Sequence, residues 1–547
     1  LVPVRTLEEL CKELGIDESE VRPVGRGIGK LSVAMIRRRA ESGPRGRLLL
    51  ITGMTPTSHG EGKTVTTIGT AMALRRAGHS AVAVLRQPSL GPVFGVKGGA
   101  TGGGKATVEP SDLINFGFTG DLHAAAAAHN LLSALLNNHL YHDNELGLDP
   151  ARIRWPWTVD MEDRALRHVT AQDAGKRKSV HRESRFVITA ASEVTAILGL
   201  ARDYSDLKER LGRIIVGTST SGRLIRATDL HAEGAMAVLL RDALEPNLVQ
   251  CADGTPALVH GGPFGNIAHG TASRLAIEFG LAAAEYCVVE AGFAADLGAE
   301  KFVDIVARDA GLSVSAGLVV TTVRGLRHQG GVEEERLAQA DPAAVTRGIE
   351  NLHAHLDTLH LLGVPSLVVL NRFPDDTGEE VEVLRAAMRR RGTAFAESTV
   401  FSDGAQGAPE VARHATQLAA SGGNSAPLYP SGSTIPAALD TLVTKVYGAE
   451  GADWTAGARQ QLEDLEASGE ARVPICVAKT SLSLSDDPKK LGRPAGYRVT
   501  VRRIERSAGA GFTVVFLGEI ETMPGLPKHP LAERIDLLAD GRIVGTG

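Results

Sequence analysis

The sequence predicts an α/β protein. It reads as a large P-loop-containing nucleotide-binding domain on a mostly parallel sheet, plus two smaller α/β or α+β domains. Three observations point there. Apolar runs of β-forming residues recur between helix-patterned stretches, the alternation that builds a parallel sheet covered on both faces. The first of these runs, residues 47–53, leads into a glycine-containing turn and then a helix-like segment at about 64–77. From residue 451 onward the alternation gives way to one helix-like stretch and several strand-like ones. At 547 residues the chain is too long for one ordinary core.

Along the chain, residues 1–46 read as a helical lead-in, acidic at Glu8, Glu9 and Glu13 and basic at Arg37, Arg38 and Arg39. The basic cluster is read as a solvated helix face. Strands are expected at 47–53, 81–85, 213–216, 286–290, 317–323 and 365–370. Residues 402–433, rich in Gly, Ser, Ala and Pro, read as a boundary. The helix-like WTAGARQQLEDLEA then precedes VPICVAKT, YRVTVRRIE and GFTVVFLGEI. With 43% hydrophobic residues but only 4% aromatic, the cores should be mostly aliphatic. A net charge of −5 argues against general affinity for nucleic acid. Cys11, Cys251, Cys287 and Cys476 are scattered and form no CxxC pair, so neither a zinc ribbon nor a redox pair is supported. No stretch reads as a signal peptide or an apolar run of transmembrane length. The expected compartment is the cytoplasm, with no membrane partner.

The turn after the first strand is Thr55-Pro56-Thr57-Ser58-His59-Gly60-Glu61-Gly62-Lys63-Thr64. Strand, glycine turn, lysine, hydroxyl and helix in this order point to a loop that cradles phosphates with backbone N–H groups. Lys63 would meet the terminal phosphates, and Thr64 would hold magnesium. The match is incomplete, because the first glycine of G-x-x-x-x-G-K-[ST] falls on Thr57. A bound nucleoside triphosphate is expected.

Further clusters follow other strands. Arg86 ends the second strand and can grip an oxyanion with its planar fork. The glycine run at 94–105 reads as a ligand-shaping loop. Asp121 and His123 either act on a substrate or cap the helix behind them. His260 and His269 lie nine residues apart, a spacing that suits a dense substrate loop better than a metal site. Glu290 to Gly298 follows an apolar strand and either brings a carboxylate near the magnesium or caps a helix through Asp296. Asn371 and Arg372 stand at a strand end that often meets a purine. Lys479, with Ser485 to Pro488, is compatible with a simple turn.

Taken together, TPTSHGEGKT, RQPSLGPVFGVKGGATGGG, FTGDLHA, GTPALVHGGPFGNIAHG, AGFAADLGAEKF, NRFP, CVAKTSLSLSDDP and TMPGLPKHP closely resemble the formate–tetrahydrofolate ligases along nearly the whole chain. The resemblance implies that ATP, formate and tetrahydrofolate become 10-formyltetrahydrofolate, ADP and phosphate through formyl phosphate. It implies Lys63, Arg86 and Asp121 as catalytic residues, Thr55 to Thr64 around ATP, Thr64 on Mg2+, and Phe373, Pro374 and Phe401 around the folate. It further implies activation by K+ or NH4+ and a homotetramer. The expected division is an ATP-binding domain with the formate-activating site at 1–364, a folate-site domain at 365–450 and a C-terminal α+β domain at 451–547. The chain departs from the family pattern at Gln87, Lys105, Gly117, Val187, Glu397 and Phe401, the last in place of a usual tryptophan. Those departures leave open an ATP-binding relative with another acid or acceptor, or one without catalysis. Lys105 and Glu397 are expected to pair.

Overall fold

The computed structural model describes residues 5–25, 27–43, 46–58, 60–97, 100–172 and 181–545. At its centre lies a sheet of 12 strands. Numbered along the chain within this sheet, these are β1 (Val21–Gly25), β2 (Ile28–Leu31), β3 (Arg47–Gly53), β4 (Ala81–Leu85), β5 (Gly102–Gly103), β6 (Ala106–Glu109), β7 (Asn247–Cys251), β8 (Pro256–Val259), β9 (Tyr286–Glu290), β10 (Val314–Thr321), β11 (Ser366–Asn371) and β12 (Ala394–Ser398). In spatial order, β8–β4–β9–β3–β10–β11–β12 run parallel to one another. Beyond β8, strands β7, β2 and β1 continue the sheet antiparallel, and β6 with β5 pairs against β7.

The parallel strands are apolar without alternation because both faces are covered. In β3, Leu48 and Leu50 join one core cluster while Leu49 and Ile51 join another. Cys287 and Val289 of β9 divide from Tyr286 and Val288 in the same way. The helix after β3, α1 (Lys63–Arg76), is buried from Thr66 to Leu74. A helix at Pro409–Ser421 packs over it and the sheet, contributing Val411, Ala412, Ala415 and Ala419 to the core. The segment read as a boundary therefore carries a covering helix.

Two other expectations change. The lead-in is not helical throughout: between helices Leu7–Leu14 and Val33–Glu41 it supplies β1 and β2, joined as a hairpin. The strand expected at 213–216 appears as Ile215–Thr218, in a separate two-stranded antiparallel pair. The alanine-rich helix α2 spans Asp121–Tyr141.

Near the C-terminus, strands Ile475–Ala478, Arg503–Ser507 and Phe512–Phe516 form a three-stranded sheet. The two-residue period of a strand sends Cys476 and Ala478 into the main core, and Ile475 and Val477 into a smaller cluster with Tyr429, Leu439 and Tyr447. No helix of the described residues is long and apolar enough to cross a membrane.

Candidate active site

Parallel pairing puts the carboxyl ends of β4, β9, β3, β10 and β11 along one edge of the sheet. Arg86, Glu290, the 54–62 loop, Thr322 and Asn371 therefore stand side by side. In open α/β sheets this edge is where ligands bind.

The 54–62 loop turns sharply into α1. Gly60 and Gly62 both have φ +77°, and Gly62 is the residue that precedes the helix. A Cβ on Gly62 would collide with the Asn371 amide, so glycine is required twice over. No side chain caps the start of α1. Its first-turn N–H groups thus keep their capacity to meet an anion, aided by the helix dipole. The loop is held from below. Glu61 turns back on its own loop, where Oε1 accepts from the Thr57 N–H at 2.7 Å and Oε2 accepts from the Thr322 hydroxyl. Asn371 Nδ2 donates to the Glu61 carbonyl at 3.3 Å. Asn371 is therefore a buried support of the loop, where the sequence reading placed it toward a purine. Thr55 and Pro56 are buried, Ser58 is exposed and bonded to Glu334, and His59 lies outside the described residues.

At the centre of the edge sits Glu290. Its Oε2 accepts from the Thr64 hydroxyl at 2.7 Å, and its Oε1 accepts from Arg86 Nη2 at 2.9 Å. Burial alone would push this carboxyl up. Arg86, the Thr64 hydroxyl and Lys63 outweigh that and hold it below the usual glutamate value. For Lys63 the balance reverses: burial pushes the ammonium down, opposed by Glu290 and Glu61 and reinforced by Arg86. Gly292 completes the site, because a Cβ there would stand 3.0 Å from Arg86 Nη1. Lys63, Thr64 and Arg86, all expected from the sequence, are thus brought together by the carboxylate of Glu290, which heads the 290–298 stretch. Its signal was a lone charged residue closing the apolar strand YCVVE.

Other expected residues lie differently. Asp121 is the first residue of α2 but caps nothing with its side chain. Its carboxylate is buried against Lys30 Nζ (2.8 Å), Asn247 Nδ2 (2.8 Å) and the Thr119 hydroxyl (3.0 Å). Lys30, within the apolar strand IGKL, was missed. Asp296 caps no helix; it forms a buried ion pair with Lys479 at 2.8 Å. Lys479, read as part of a turn, is fully buried. His260 is a core histidine: its Nε2 donates to the Ala243 carbonyl at 2.7 Å, its Nδ1 accepts from Ser273, and burial drives its pKa to about 4.

Phe373 and Phe401 follow β11 and β12, which are locked together by the Arg372 N–H donating to the Ser398 carbonyl at 3.0 Å. Phe373 is half-buried beneath the Arg324 guanidinium, 5.2 Å from the ring centroid. Pro374 is exposed, and Phe401 is 56% exposed. The glycine run lets Phe401 approach: a Cβ on Gly103 would come within 2.9 Å of its ring. Glu397 does not pair with Lys105. Both of its oxygens are taken by arginines, Arg372 and Arg385. The Lys105 N–H instead donates to the Phe401 carbonyl at 2.8 Å.

Fold and site together define an α/β protein whose charged groups converge at the carboxyl ends of its parallel strands. The family model for formate–tetrahydrofolate ligase matches residues 2–546. A protein of that name from Thermus thermophilus is 47% identical over 539 residues, 98% of each chain. Others from Symbiobacterium thermophilum (46% over 540 residues, 98% of this chain and 97% of the relative) and Myxococcus xanthus (46% over 547 residues, 99% of each) are similar along their full lengths. The chain belongs to the formate–tetrahydrofolate ligase family.

Proposed function

We propose that this protein joins formate to tetrahydrofolate with conversion of ATP to ADP and phosphate, through formyl phosphate. The observation that carries the reading is the Glu290 carboxylate, which ties Thr64 of the phosphate loop to Arg86 beside Lys63. Formate is a poor electrophile, and its oxygen is a poor leaving group toward an amine. In the first step a formate oxygen attacks the terminal phosphorus as the bond to ADP breaks. In the second, the folate amine attacks the formyl carbon, the carbon–oxygen bond to phosphate breaks, and the amine proton is released. Lys63 and the first-turn amides of α1 hold the phosphates, and Arg86 holds the carboxylate in line. Thr64 and Glu290 offer adjacent hard oxygens, a donor set that fits magnesium, and both would hold it. When bound, that ion neutralises charge on the phosphates. Phe373 and Phe401 would flank the pterin ring.

This reading takes Asp121 as a residue of the folate side, fixed by Lys30. It carries with it the division at 1–364, 365–450 and 451–547, a cytoplasmic homotetramer, and activation by K+ or NH4+. Its test is ADP release measured with and without formate and with and without tetrahydrofolate. Release that needs formate and yields 10-formyltetrahydrofolate is expected. Nucleotide binding without acyl transfer would mean a binding protein or a different acid or acceptor.

One substitution probes the loop alone. Gly62→Ala forces a side chain into the left-handed region, at about 1–2 kcal/mol, and against Asn371. The expected result is weaker MgATP binding by calorimetry, with the melting temperature little changed.

A further inference from the structure

Behind the phosphate loop lies a buried chain of polar groups that reaches residues far along the sequence. It starts at Thr55. The Thr55 N–H donates to Nε2 of His355 at 2.9 Å, and the Thr55 hydroxyl is also 2.9 Å from that nitrogen. Asn351 Nδ2 donates to the same hydroxyl at 3.0 Å. His355 and Asn351 lie one turn apart on α3 (Pro342–Leu361), so both face the loop. The same Thr55 N–H also reaches Asn351 Oδ1, at 3.3 Å, but His355 Nε2 is the nearer acceptor; a backbone N–H can only donate, so Nε2 carries the lone pair. Burial drives the imidazole pKa to about 4, and the ring is neutral at pH 7. Its proton therefore sits on Nδ1.

That Nδ1 faces Oδ1 of Asp296 at 3.7 Å. The other oxygen of Asp296 accepts from Lys479 Nζ at 2.8 Å. Lys479 donates also to the Ser483 carbonyl (2.5 Å) and the Thr480 carbonyl (3.2 Å), which uses all three of its protons. The segment after Lys479 touches α3 a second time, where Asn351 Nδ2 donates to the Gly492 carbonyl at 2.8 Å. Lys479, His355, Asn351 and Thr55 are all essentially inaccessible to solvent. A lysine buried this deeply is retained at a desolvation cost that Asp296 offsets. An apolar residue would fill the space without that cost, so the charge has a local task. The negative end of the pair points at the protonated nitrogen of His355, and so favours the one tautomer able to accept from Thr55.

We infer that Lys479, Asp296 and His355 are positioning residues that set the phosphate loop through Thr55, so that residues 479–492 are part of the nucleotide-binding apparatus. This rests on the reading of residues 55–64 as the ATP loop. None of the three touches substrate in this assignment. They act by holding the first residue of the loop where the amides beyond it can converge on phosphate.

The test compares His355→Gln with His355→Asn. A glutamine oxygen reaches the place of Nε2 and accepts from the Thr55 N–H, whereas an asparagine oxygen reaches only the place of Nδ1. For His355→Asn, the Kd for MgATP by calorimetry and the KM for ATP should rise about tenfold, the loss of one buried hydrogen bond. The KM for formate and kcat at saturating ATP should stay within about twofold. His355→Gln should restore MgATP affinity to within about threefold of the unsubstituted protein. Equal affinity in the two variants overturns the inference, since a purely structural role would not separate them. Should His355→Asn fail to fold, the double variant Asp296→Asn/Lys479→Met, which removes both buried charges together, takes its place. Unchanged MgATP affinity in that protein overturns the inference equally. If the unsubstituted protein binds no MgATP, the proposed function fails; if it binds but Gln and Asn behave alike, only the positioning role fails.

Discussion

Lys63→Ala should lower formate-dependent ADP release by about 10³-fold, with little change in the unfolding midpoint. Phosphoryl transfer asks a protein mainly for positioning and charge neutralisation, and the loss of one preorganised cation or donor typically costs 10²–10³ or more. Lys63 shares its surroundings with Glu290, Glu61 and Arg86. Its removal leaves Glu290 still bonded to Thr64 and Arg86, so the local structure should survive. Glu290→Gln keeps the shape and removes the charge between those two groups; a fall of about 10² in kcat is expected. The double variant should fall short of the product of the two losses, because the groups act as a unit. A pH profile gives an independent check. Because burial lowers the Lys63 pKa, kcat/KM for ATP should decline on the alkaline side at a pH below that of an ordinary lysine. Glu290, held below the usual glutamate value, should stay ionised and add no break near neutrality. Normal turnover by Lys63→Ala would defeat the assignment of the loop.

Glu380→Ala should produce the largest loss of stability, about 3–5 kcal/mol, by leaving a buried guanidinium unpaired. Arg327 and Glu380 are both inaccessible to solvent. Arg327 donates from Nε to Oε1 at 2.7 Å and from Nη2 to Oε2 at 2.6 Å, and its Nη1 donates to the Leu337 carbonyl. Glu380 also accepts from the Asp341 N–H at 2.9 Å and the Thr377 hydroxyl at 2.6 Å. Burial would raise this carboxyl, but the Arg327 fork with Thr377 and Asp341 brings its pKa down to about 2. A carboxyl with a lowered pKa in the folded state contributes stability above its unfolded value, near 4.5, and loses it as pH falls toward about 2. Denaturant unfolding at pH 7 and at pH 3 should therefore show a smaller gap between Glu380→Ala and the unsubstituted protein at the lower pH. Replacing Arg327 and Glu380 together by apolar residues of similar volume should cost much less than either single change. An unchanged midpoint for Glu380→Ala would show that the pair contributes nothing.

What could be read without the structure were features written in short stretches of chain. The strand–loop–helix around Gly60–Thr64 was legible because an apolar run, two glycines and a following helix pattern are local signals. The strand ends at Arg86 and Asn371 were legible for the same reason. Family strings then tied these stretches to one chemistry. The expected strands at 81–85 and 286–290 appear at the same residues, since a fully covered parallel strand must be apolar throughout.

Partnerships across long separations in sequence were not legible. Lys30 and Asp121 lie 91 residues apart and Thr55 and His355 lie 300 apart, while Thr64 and Glu290, 226 apart, were linked only as one of two readings, a carboxylate near the magnesium. No periodicity records which strand lies beside which. Glu290 meets Arg86 and Thr64 because β9 inserts between β4 and β3, out of chain order. Glu397 met Arg372 and Arg385 in place of Lys105 because β12 pairs with β11 and leaves Lys105 to the Phe401 backbone. Local pattern specifies which residues become strand, loop and helix, since steric and hydrophobic preferences act over a few residues. The order of strands, and with it the company each buried charge keeps, emerges when the whole chain minimises exposed apolar surface and unpaired polar groups together.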